Sequence, residues 1–444
     1  MKFIKSLYLN HLLFWVFAGI VTVFVFGFFF PFFLAVGKAL FWLFVLWFAV
    51  DLLMLYNAPQ KAILANRQVP ERLSNGDENA IKLYVLNNYK FQVFVRIIDE
   101  IPFQFQVRDF EINEIVDSGK EKTFLYKLKP NERGEYHFGA LNIYVSSFFR
   151  LASRKFVFDR NAYVPVYPSF IQMRKYEIMA ISNRLTEVGV KKIRRIANNN
   201  EFEQIKNYTK GDDFRTINWK ATARRNQLMV NQFQDEKSQQ VYSLIDMGRN
   251  MKMPFEGMSL LDYAINASLV ISNIAMLKHD KAGFLTYSNK IHSLLPAERS
   301  KKQVMNIMEL LYKQQTNYKE PDFELVYSII HRKIKHRSLL ILYTNFEGIS
   351  SMRKQLKYLS KLAKNHVLIV VFFDNTEINK LLNQTTATLE QVYIKTIAEK
   401  FRYEKRLIVK ELQQHGIHSI LTEPQNLSIN TINKYLELKA RGLF

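Results

Sequence analysis

Two long apolar runs near the amino end constrain this chain more than any other feature. The first, residues 12–30, reads LLFWVFAGIVTVFVFGFFF without a charge, and the second, residues 39–56, is interrupted only by Asp51. Each run is close to the ~20 residues that a helix needs to cross ~30 Å of hydrocarbon. Burial in a protein core is the less favoured alternative, because Phe, Val and Leu occupy every face of these helices. The sequence therefore predicts a transmembrane hairpin over residues 1–60.

The basic residues that flank the two runs predict the orientation of the hairpin. The connector between the two runs has one basic residue, Lys38. The segments before the first run and after the second carry Lys2, Lys5, Lys61, Arg67 and Arg72. The positive-inside rule then places both ends of the hairpin in the cytoplasm. The rest of the chain would be a cytoplasmic body that the hairpin tethers to the lipid of the cell membrane. We expect Asp51 near the inner end of its helix, where its carboxylate reaches headgroup water. A cleaved signal peptide is the alternative, but the first run is long for one and a second run follows at once.

The charge balance leaves two alternatives, a basic surface that is simply solvated and an anionic partner. The 444 residues include 62 Lys and Arg against 40 Asp and Glu, which gives a formal charge of +22, and there is no cysteine. The missing cysteines exclude disulfides, thiolate metal sites and a cysteine nucleophile. A basic surface suits an anionic membrane or a nucleic acid. Because the basic residues are interleaved with acids and form no nucleic-acid motif, the membrane is favoured and nucleic acid is not.

Residues 66–168 alternate polar and apolar side chains with a period of two. The clearest runs are AIKLYVLNN from residue 80, KFQVFVRII from residue 90 and KTFLYKLKP from residue 122. Polar punctuation between such runs is typical of a β-sandwich. Modules of this kind mostly bind or space other domains, and this one shows no acid–base set.

Residues 238–444 change to apolar strands that alternate with amphipathic helices. QQVYSLID from residue 239, SLLILYTN from residue 338 and HVLIVVFFD from residue 366 are the strands, and residues 260–277 form one of the helical patterns. This alternation predicts a parallel sheet covered by helices on both faces. Ligands bind beyond the carboxyl ends of the strands in such folds. Asp246, Asn345 and Asp374 stand at those ends.

Motifs that carry chemistry are sparse. The chain has no phosphate-cradling G-x-x-x-x-G-K-[ST] loop, no G-x-G-x-x-G fingerprint and no G-x-S-x-G elbow. The remaining candidate is a metal site in which Asp246, Asn250 and Asn345 offer oxygens to Mg²⁺. The alternative is that Asp246 and Asn250 cap their own loop. One formal negative charge would bind Mg²⁺ only weakly, and we therefore predict no cofactor.

Residues 208–230, YTKGDDFRTINWKATARRNQLMV, concentrate acids, arginines and a tryptophan between the two predicted domains. The candidate interaction residues are Gly211, Asp212, Asp213, Arg215, Ile217, Asn218, Trp219, Thr222 and Arg224. The favoured interpretation is a seam, in which arginine–carboxylate bonds and a buried Trp219 lock a linker against the α/β sheet. The rival is a solvent-facing recognition surface, since Trp and Arg dominate binding hot spots. A catalytic role is less favoured, because no base accompanies the two adjacent aspartates.

The stretch GDDFRTINWKATAR, residues 211–224, resembles the signature of bacterial proteins with a DUF58 domain, a domain of unknown function. The resemblance covers most of the chain and implies a von Willebrand factor A-like domain after the β-domain. Such domains hold a metal through Asp-x-Ser-x-Ser. Gly248 and Asn250 stand here in place of the serines and Asn345 in place of a later aspartate, which implies a degenerate site. The resemblance also implies a MoxR-type AAA+ ATPase as partner, because the two are commonly encoded together.

These features predict a membrane-anchored, non-enzymatic adaptor that works with an AAA+ ATPase in the assembly or maturation of client proteins. The predicted order is a hairpin (1–60), a β-sandwich (66–168), a linker with the signature (169–237) and a von Willebrand A-like α/β domain (238–444). Two alternatives stay open. One is a metal-dependent hydrolase acting at the strand ends around Asp246, and the other is a basic nucleic-acid-binding membrane protein.

Overall fold

The chain divides into two compact units, Met1–Tyr167 and Pro168–Phe444. The computed structural model describes residues 6–58, 61–159, 161–181, 189, 201–209, 212, 214–234, 238–300, 302–383 and 388–444. The boundary between the units falls next to Pro168, where the β-rich sequence pattern also ends.

Two apolar helices lie near the amino end of the first unit, as the sequence predicts. They are α1 (His11–Phe29) and α2 (Pro31–Tyr56), and both are long and apolar enough to cross a membrane. Pro31 begins α2 at a position where its missing N–H costs nothing. Gly27 lies against the start of α2, and a Cβ there would come within 2.9 Å of the Leu34 nitrogen. Only glycine therefore permits the two helices to approach this closely near their turn.

The rest of the first unit is built from antiparallel sheets. Its strands are β1 (Leu7–Leu9), β2 (Ile63–Gln68), β3 (Leu73–Ser74), β4 (Asn79–Asn87), β5 (Val93–Asp99), β6 (Ile112–Val116), β7 (Glu121–Leu128), β8 (Gly134–Phe138), β9 (Leu141–Ser146), β10 (Ala152–Phe158) and β11 (Ala162–Tyr167). Among the described residues, β1-β10-β9-β5-β6 and β2-β4-β7 are antiparallel sheets, and β3-β11-β8 is a small mixed one. Alternate residues of the first two sheets, such as Val85 and Val95, share one buried cluster with Leu55 of α2.

Asp51 of α2 is buried, and the prediction that it reaches headgroup water is wrong. Its carboxylate accepts hydrogen bonds from the Ser147 hydroxyl and from the backbone N–H groups of Leu151 (3.1 Å) and Ala152 (2.9 Å). These donors belong to the turn between β9 and β10 and to the first residue of β10, about 100 residues away in sequence. The carboxylate therefore fixes α2 to the β-sheet of its own unit.

Arg67 is also buried, although the sequence analysis counted it among the basic flanks. Its guanidinium forms an ion pair with Asp99 and donates to the carbonyls of Gly139 and Asp159, both at 2.9 Å. Tyr126 donates a hydrogen bond to the same Asp99 carboxylate. Buried charges need such partners because desolvation is costly. Arg67 thus stabilises the β-core and does not face lipid headgroups.

The second unit contains a six-stranded sheet with the order β18-β17-β14-β19-β20-β21. The strands of the unit are β12 (Glu201–Asn207), β13 (Met229–Gln234), β14 (Gln240–Asp246), β15 (Pro254–Phe255), β16 (Met258–Ser259), β17 (Lys281–Tyr287), β18 (Ile291–Glu298), β19 (Leu339–Tyr343), β20 (Val367–Phe373) and β21 (His418–Thr422). The sheet is parallel except at its edge, where β17 and β18 pair antiparallel. A parallel sheet was predicted, and the sheet is mostly parallel; residues 288–290 permit only a hairpin at the edge, because a parallel crossover needs a dozen residues or more.

Helices cover this sheet as the amphipathic patterns predict. The helices of the unit are α3 (Phe170–Ile181), α4 (Trp219–Arg225), α5 (Leu260–Leu277), α6 (Gln303–Tyr312), α7 (Phe323–Lys333), α8 (Ile349–Asn365), α9 (Thr376–Asn383), α10 (Leu389–Gln414) and α11 (Leu427–Ala440). By length and composition α5 is also apolar enough to cross a membrane. Its residues are almost all buried, and it packs on β14 and β17. It therefore forms part of the core of this unit.

The predicted linker, residues 169–237, contains structured elements of the second unit. Helix α3 packs along α5: Ser169 N donates to Asn266 Oδ1 (2.9 Å), and Asn273 Nδ2 donates to Glu177 Oε2 (3.2 Å). Tyr176 is buried in this contact region. Strands β12 and β13 then pair as a separate antiparallel two-stranded ribbon. Helix α4 lies in the segment of chain that connects the two strands.

Candidate functional site

The signature forms a short helix on the β12–β13 ribbon. Asn218 begins α4, since its Oδ1 accepts a hydrogen bond from Ala221 N (3.0 Å) and its Nδ2 donates to Asn231 Oδ1 of β13 (2.8 Å). Asn226 ends the helix with a left-handed φ of 57°, a conformation that asparagine tolerates better than most residues. Both ends of α4 are thus specified by asparagines.

Three signature residues hold α4 against β13. The Thr222 hydroxyl accepts a hydrogen bond from Met229 N (3.0 Å), and Asn218 N donates to the Met229 carbonyl (2.9 Å). Ile217 forms an isolated β-bridge with Val230. Met229 and Val230 are both buried. Ile217, Asn218 and Thr222 therefore position the helix. The side chains of Asn218 and Thr222 form hydrogen bonds with residues of β13.

Asp212 is bonded to a lysine and a threonine, which corrects the predicted arginine pairing. Its carboxylate accepts from Lys206 Nζ (2.9 Å) and from both the backbone N–H (2.9 Å) and the hydroxyl (2.8 Å) of Thr209. These bonds, with the Thr209 N–H foremost, lower the pKa of Asp212 to about 2. The lysine of β12 is its ionic partner because the loop folds back on its own strand. Gly211 and Asp213 lie outside the described residues.

Trp219 is 70% exposed, and the burial on which the predicted seam depends is not observed. Phe214, five residues earlier, is 69% exposed and contacts the Tyr208 ring at 5.4 Å between centroids. Lys220 and Arg224 are exposed on α4 and lie four residues apart, on one face of the helix. Arg215 is exposed in the short turn before the helix. We call the exposed residues of α4 and of the turn before it, Phe214, Trp219, Lys220 and Arg224, the signature face.

Asp246, Asn345 and Asp374 lie at the carboxyl ends of three adjacent parallel strands, as predicted. Asp246 is buried, and its two oxygens accept hydrogen bonds from Gly248 N (2.7 Å) and from the Thr344 hydroxyl (2.7 Å). Burial raises the pKa of Asp246 to about 6, while these two bonds act in the opposite direction. The Asp246 carboxyl therefore holds the strand ends together and does not open onto solvent.

The strand ends do not fit a divalent cation. Asn345 Oδ1, one of the predicted ligands, accepts a hydrogen bond from the Lys405 ammonium at 2.9 Å, and a second cation there would be repelled. Asn250 donates to the Asn345 carbonyl (3.4 Å). A Cβ at Gly248 would lie 2.9 Å from Asp246 Oδ1 and from the Lys319 carbonyl, which leaves no room for a serine. Among the described residues, no group of three or more His, Asp or Glu is arranged to hold a metal.

An apolar groove of about 770 Å³ opens beside these strand ends. Its apolar wall includes Met253, Phe255, Phe346, Phe373, Ile378 and Phe401. Lys405 of α10 lies in the groove, where its ammonium also donates to the Phe346 carbonyl (2.7 Å), and burial lowers its pKa to about 8. Lys405 was not predicted as a site residue from the sequence. A signal existed, because Phe401, Lys405, Ile408 and Leu412 are spaced along one helix face on which only the lysine is charged.

Comparisons with known proteins point to a family whose function is unknown. Residues 204–411 match the model described as "Protein of unknown function DUF58", which includes the signature face, the strand ends and Lys405. The chain is 26% identical over 241 residues to the uncharacterized protein YeaD of Bacillus subtilis (strain 168). That match covers 51% of this chain and 54% of YeaD, so the chain spans about half the length of this relative.

Two solved structures resemble only small parts of the chain. One is Salmonella alpha-2-macroglobulin reacted with methylamine, with 14% identity, a TM-score of 0.19, and coverage of 24% of this chain and 7% of that one. The other is a CARDB domain from Pyrococcus furiosus, with 12% identity, a TM-score of 0.16, and coverage of 24% and 94%. Likenesses this weak carry no argument about fold or function.

Proposed function

We propose that this chain, whose residues 204–411 match the DUF58 model, is a membrane-anchored, non-enzymatic protein-interaction protein whose partner docks on the signature face. The observation that carries the proposal is the exposure of Trp219 on a helix whose ends and inner side are fixed by hydrogen bonds. A rigid, solvent-facing tryptophan beside basic residues is the composition of a binding hot spot. Exposed apolar side chains with a polar rim mark interaction sites.

The architecture supports a binding role. When the six strands of the large sheet are numbered 1 to 6 along the chain, from β14 to β21, their order across the sheet is 3-2-1-4-5-6. This is the doubly wound order expected of a von Willebrand A-like domain. In this order the first and fourth strands, β14 and β19, flank the switch point, and Asp246 lies there with both oxygens engaged inside the protein. The shared buried cluster of the two sheets in the first unit suits a β-sandwich. The hydrogen bonds that engage Asp246, the residue on which the hydrolase alternative depends, favour an adaptor over a hydrolase.

The partner that best suits the signature face has an acidic rim around an apolar pocket. Trp219 and Phe214 supply apolar area, and Lys220 and Arg224 supply positive charge at its border. A MoxR-type AAA+ ATPase working on client proteins is the partner that the family resemblance suggests. The apolar groove beside Lys405 offers a second surface, suited to an extended segment of a client. The hairpin would hold both surfaces at the cytoplasmic side of the cell membrane.

Site-specific photocrosslinking in intact cells tests the proposal. A benzophenone amino acid replaces Trp219 in the full chain, and the matched control places it at Tyr393, which is 69% exposed on α10. We expect a discrete protein adduct from position 219 that is absent from position 393. The adduct should disappear when Lys220 and Arg224 are both changed to glutamate. Equal labelling from both positions, or no adduct from position 219, contradicts the proposal.

A further inference from the structure

The turn between β9 and β10, residues 147–151, is held at the base of the helical hairpin by both helices. Asn10, directly before α1, donates through its backbone to the Leu151 carbonyl (3.0 Å) and through its side chain to the Arg150 carbonyl (3.0 Å). Asp51 of α2 accepts from the N–H of Leu151 (3.1 Å) and from the Ser147 hydroxyl. The turn therefore has a fixed position relative to α1 and α2.

The helix lengths place this turn at the border of the hydrocarbon. Helix α1 has 19 residues and spans about 28 Å, close to the ~30 Å thickness of a bilayer core. Asp51 lies about twenty residues after Pro31, where α2 begins at the tip of the hairpin. At about 1.5 Å per residue, Asp51 is therefore about 30 Å from the tip. Both helices thus reach the same plane, at Asn10 and Asp51, and the turn bonded to these two residues lies in that plane.

The side chains of the turn are those of a membrane interface. Phe148 is 76% exposed, and its neighbour Phe149 packs edge-on against Trp47 of α2 at 5.9 Å between ring centroids. Trp47 precedes Asp51 by about one helical turn and lies on its hydrocarbon side. Phe148 contacts Phe149 at 6.1 Å between ring centroids. Trp and Tyr are enriched at this depth, and Phe is among the apolar residues with which interfacial segments enter the boundary between headgroups and acyl chains.

Positive charge next to the turn matches an anionic lipid surface. A cleft of about 450 Å³ beside it is lined by two arginines, Arg96 and Arg150, and by one carboxylate, Glu114. Because Glu114 is paired with Lys122 (2.9 Å), the charge of the two arginines is not cancelled. The Arg150 guanidinium lies over the Phe94 ring at 3.4 Å from its centroid. Basic residues near an anionic bilayer are attracted to its surface. A lipid surface therefore accounts for both the exposed phenylalanine and the charge.

We propose that the 147–151 turn is a third membrane contact, in which Phe148 enters the lipid interface and orients the β-domain against the bilayer. This inference rests on the membrane part of the proposed function, since the hairpin must span the bilayer for the turn to meet it. The contact would restrict the orientation of the β-domain relative to the bilayer. Asn10 and Asp51 act here as positioning residues for the turn.

Tryptophan fluorescence in proteoliposomes tests this contact. The full chain, with its four tryptophans changed to phenylalanine, receives Phe148→Trp and is reconstituted into phosphatidylcholine–phosphatidylglycerol vesicles with lipids brominated near the glycerol or deep in the acyl chain. The matched control is Phe103→Trp. Phe103 is 85% exposed but follows the far end of β5, and the register of β5 with β9 places that end about 20 Å from the turn. A third protein keeps only Trp42, which is 69% exposed in mid-span.

We expect the emission of the Phe148→Trp protein to shift to shorter wavelength and to be quenched more by the shallow bromines than by the deep ones. Position 103 should show neither effect, and Trp42 should be quenched most by the deep bromines. If Trp42 is quenched but position 148 behaves like position 103, the turn does not contact lipid and the hairpin still spans. If neither Trp42 nor position 148 is quenched, the membrane anchor of the proposed function fails together with this inference.

Discussion

The buried carboxyl of Asp246 gives the sharpest stability prediction, which is made for the variant Asp246→Asn. Asparagine keeps a carbonyl oxygen for the Gly248 N–H, and its amide can donate to the Thr344 hydroxyl oxygen instead of accepting from that hydroxyl. Both hydrogen bonds survive the change. What the variant loses is a negative charge that the buried site disfavours.

The magnitude follows from the pKa of Asp246, which burial raises from 3.8 to about 6. Because the folded pKa lies above the unfolded one, the folded state binds more protons between these values, and the free energy of unfolding falls as pH rises from about 4 to about 6. One pKa unit is worth about 1.4 kcal/mol, so the wild type loses up to about 3 kcal/mol over this range. Asp246→Asn lacks this loss and is more stable above pH 6 by up to that amount.

Hydrogen exchange of the full chain in detergent, read by mass spectrometry, reports on the second unit directly. Near pH 7.5 we expect the amides of β14 and β19 to exchange more slowly in Asp246→Asn than in the wild type. Near pH 4 the same amides should be equally protected in the two proteins. Addition of millimolar Mg²⁺ should leave both proteins unchanged. Faster exchange of the variant near pH 7.5, or protection of the wild type alone by Mg²⁺, would refute the assignment of Asp246 as a structural carboxyl.

The same exchange measurement checks three further predictions. Gly248→Ser should destabilise the second unit by about 1–3 kcal/mol through overpacking against the Lys319 carbonyl, without gaining any response to Mg²⁺. In the wild type, burial holds the pKa of Lys405 at about 8, below the unfolded 10.5, so stability rises as pH increases between these values; this rise should vanish in Lys405→Met. Asp51→Ala leaves two buried backbone N–H groups unpaired at about 1–3 kcal/mol each, and residues 151 and 152 should exchange faster.

The sequence predicted the features that depend on local periodicity. The pattern over residues 260–277 matches α5 to the residue, and the apolar runs before Asp246, Asn345 and Asp374 are the parallel strands β14, β19 and β20. Continuous apolar strands and amphipathic helices carry their own signal in the spacing of side chains. The convergence of the three strand ends then follows from parallel pairing, without any knowledge of the loops.

Features that depend on long-range register were missed. Asp51 was expected in headgroup water because nothing near it in sequence reveals the donors of a turn about 100 residues later. Trp219 was expected to be buried because it is large and apolar, but the ribbon that carries it uses Met229 and Val230 as its buried residues. Asp212 pairs with Lys206 because the loop turns back on β12. Each error comes from a partner choice that composition and periodicity do not encode.

Trp219 is the centre of the proposed protein-binding surface. The direct measurement is the affinity of the partner captured at position 219 for the purified full chain in nanodiscs, compared between the wild type, Trp219→Ala and the control Tyr393→Ala. Hot-spot tryptophans contribute about 2 kcal/mol or more, so we expect binding to weaken about 30-fold or more in Trp219→Ala and to stay unchanged in Tyr393→Ala. Wild-type affinity in Trp219→Ala would contradict the account.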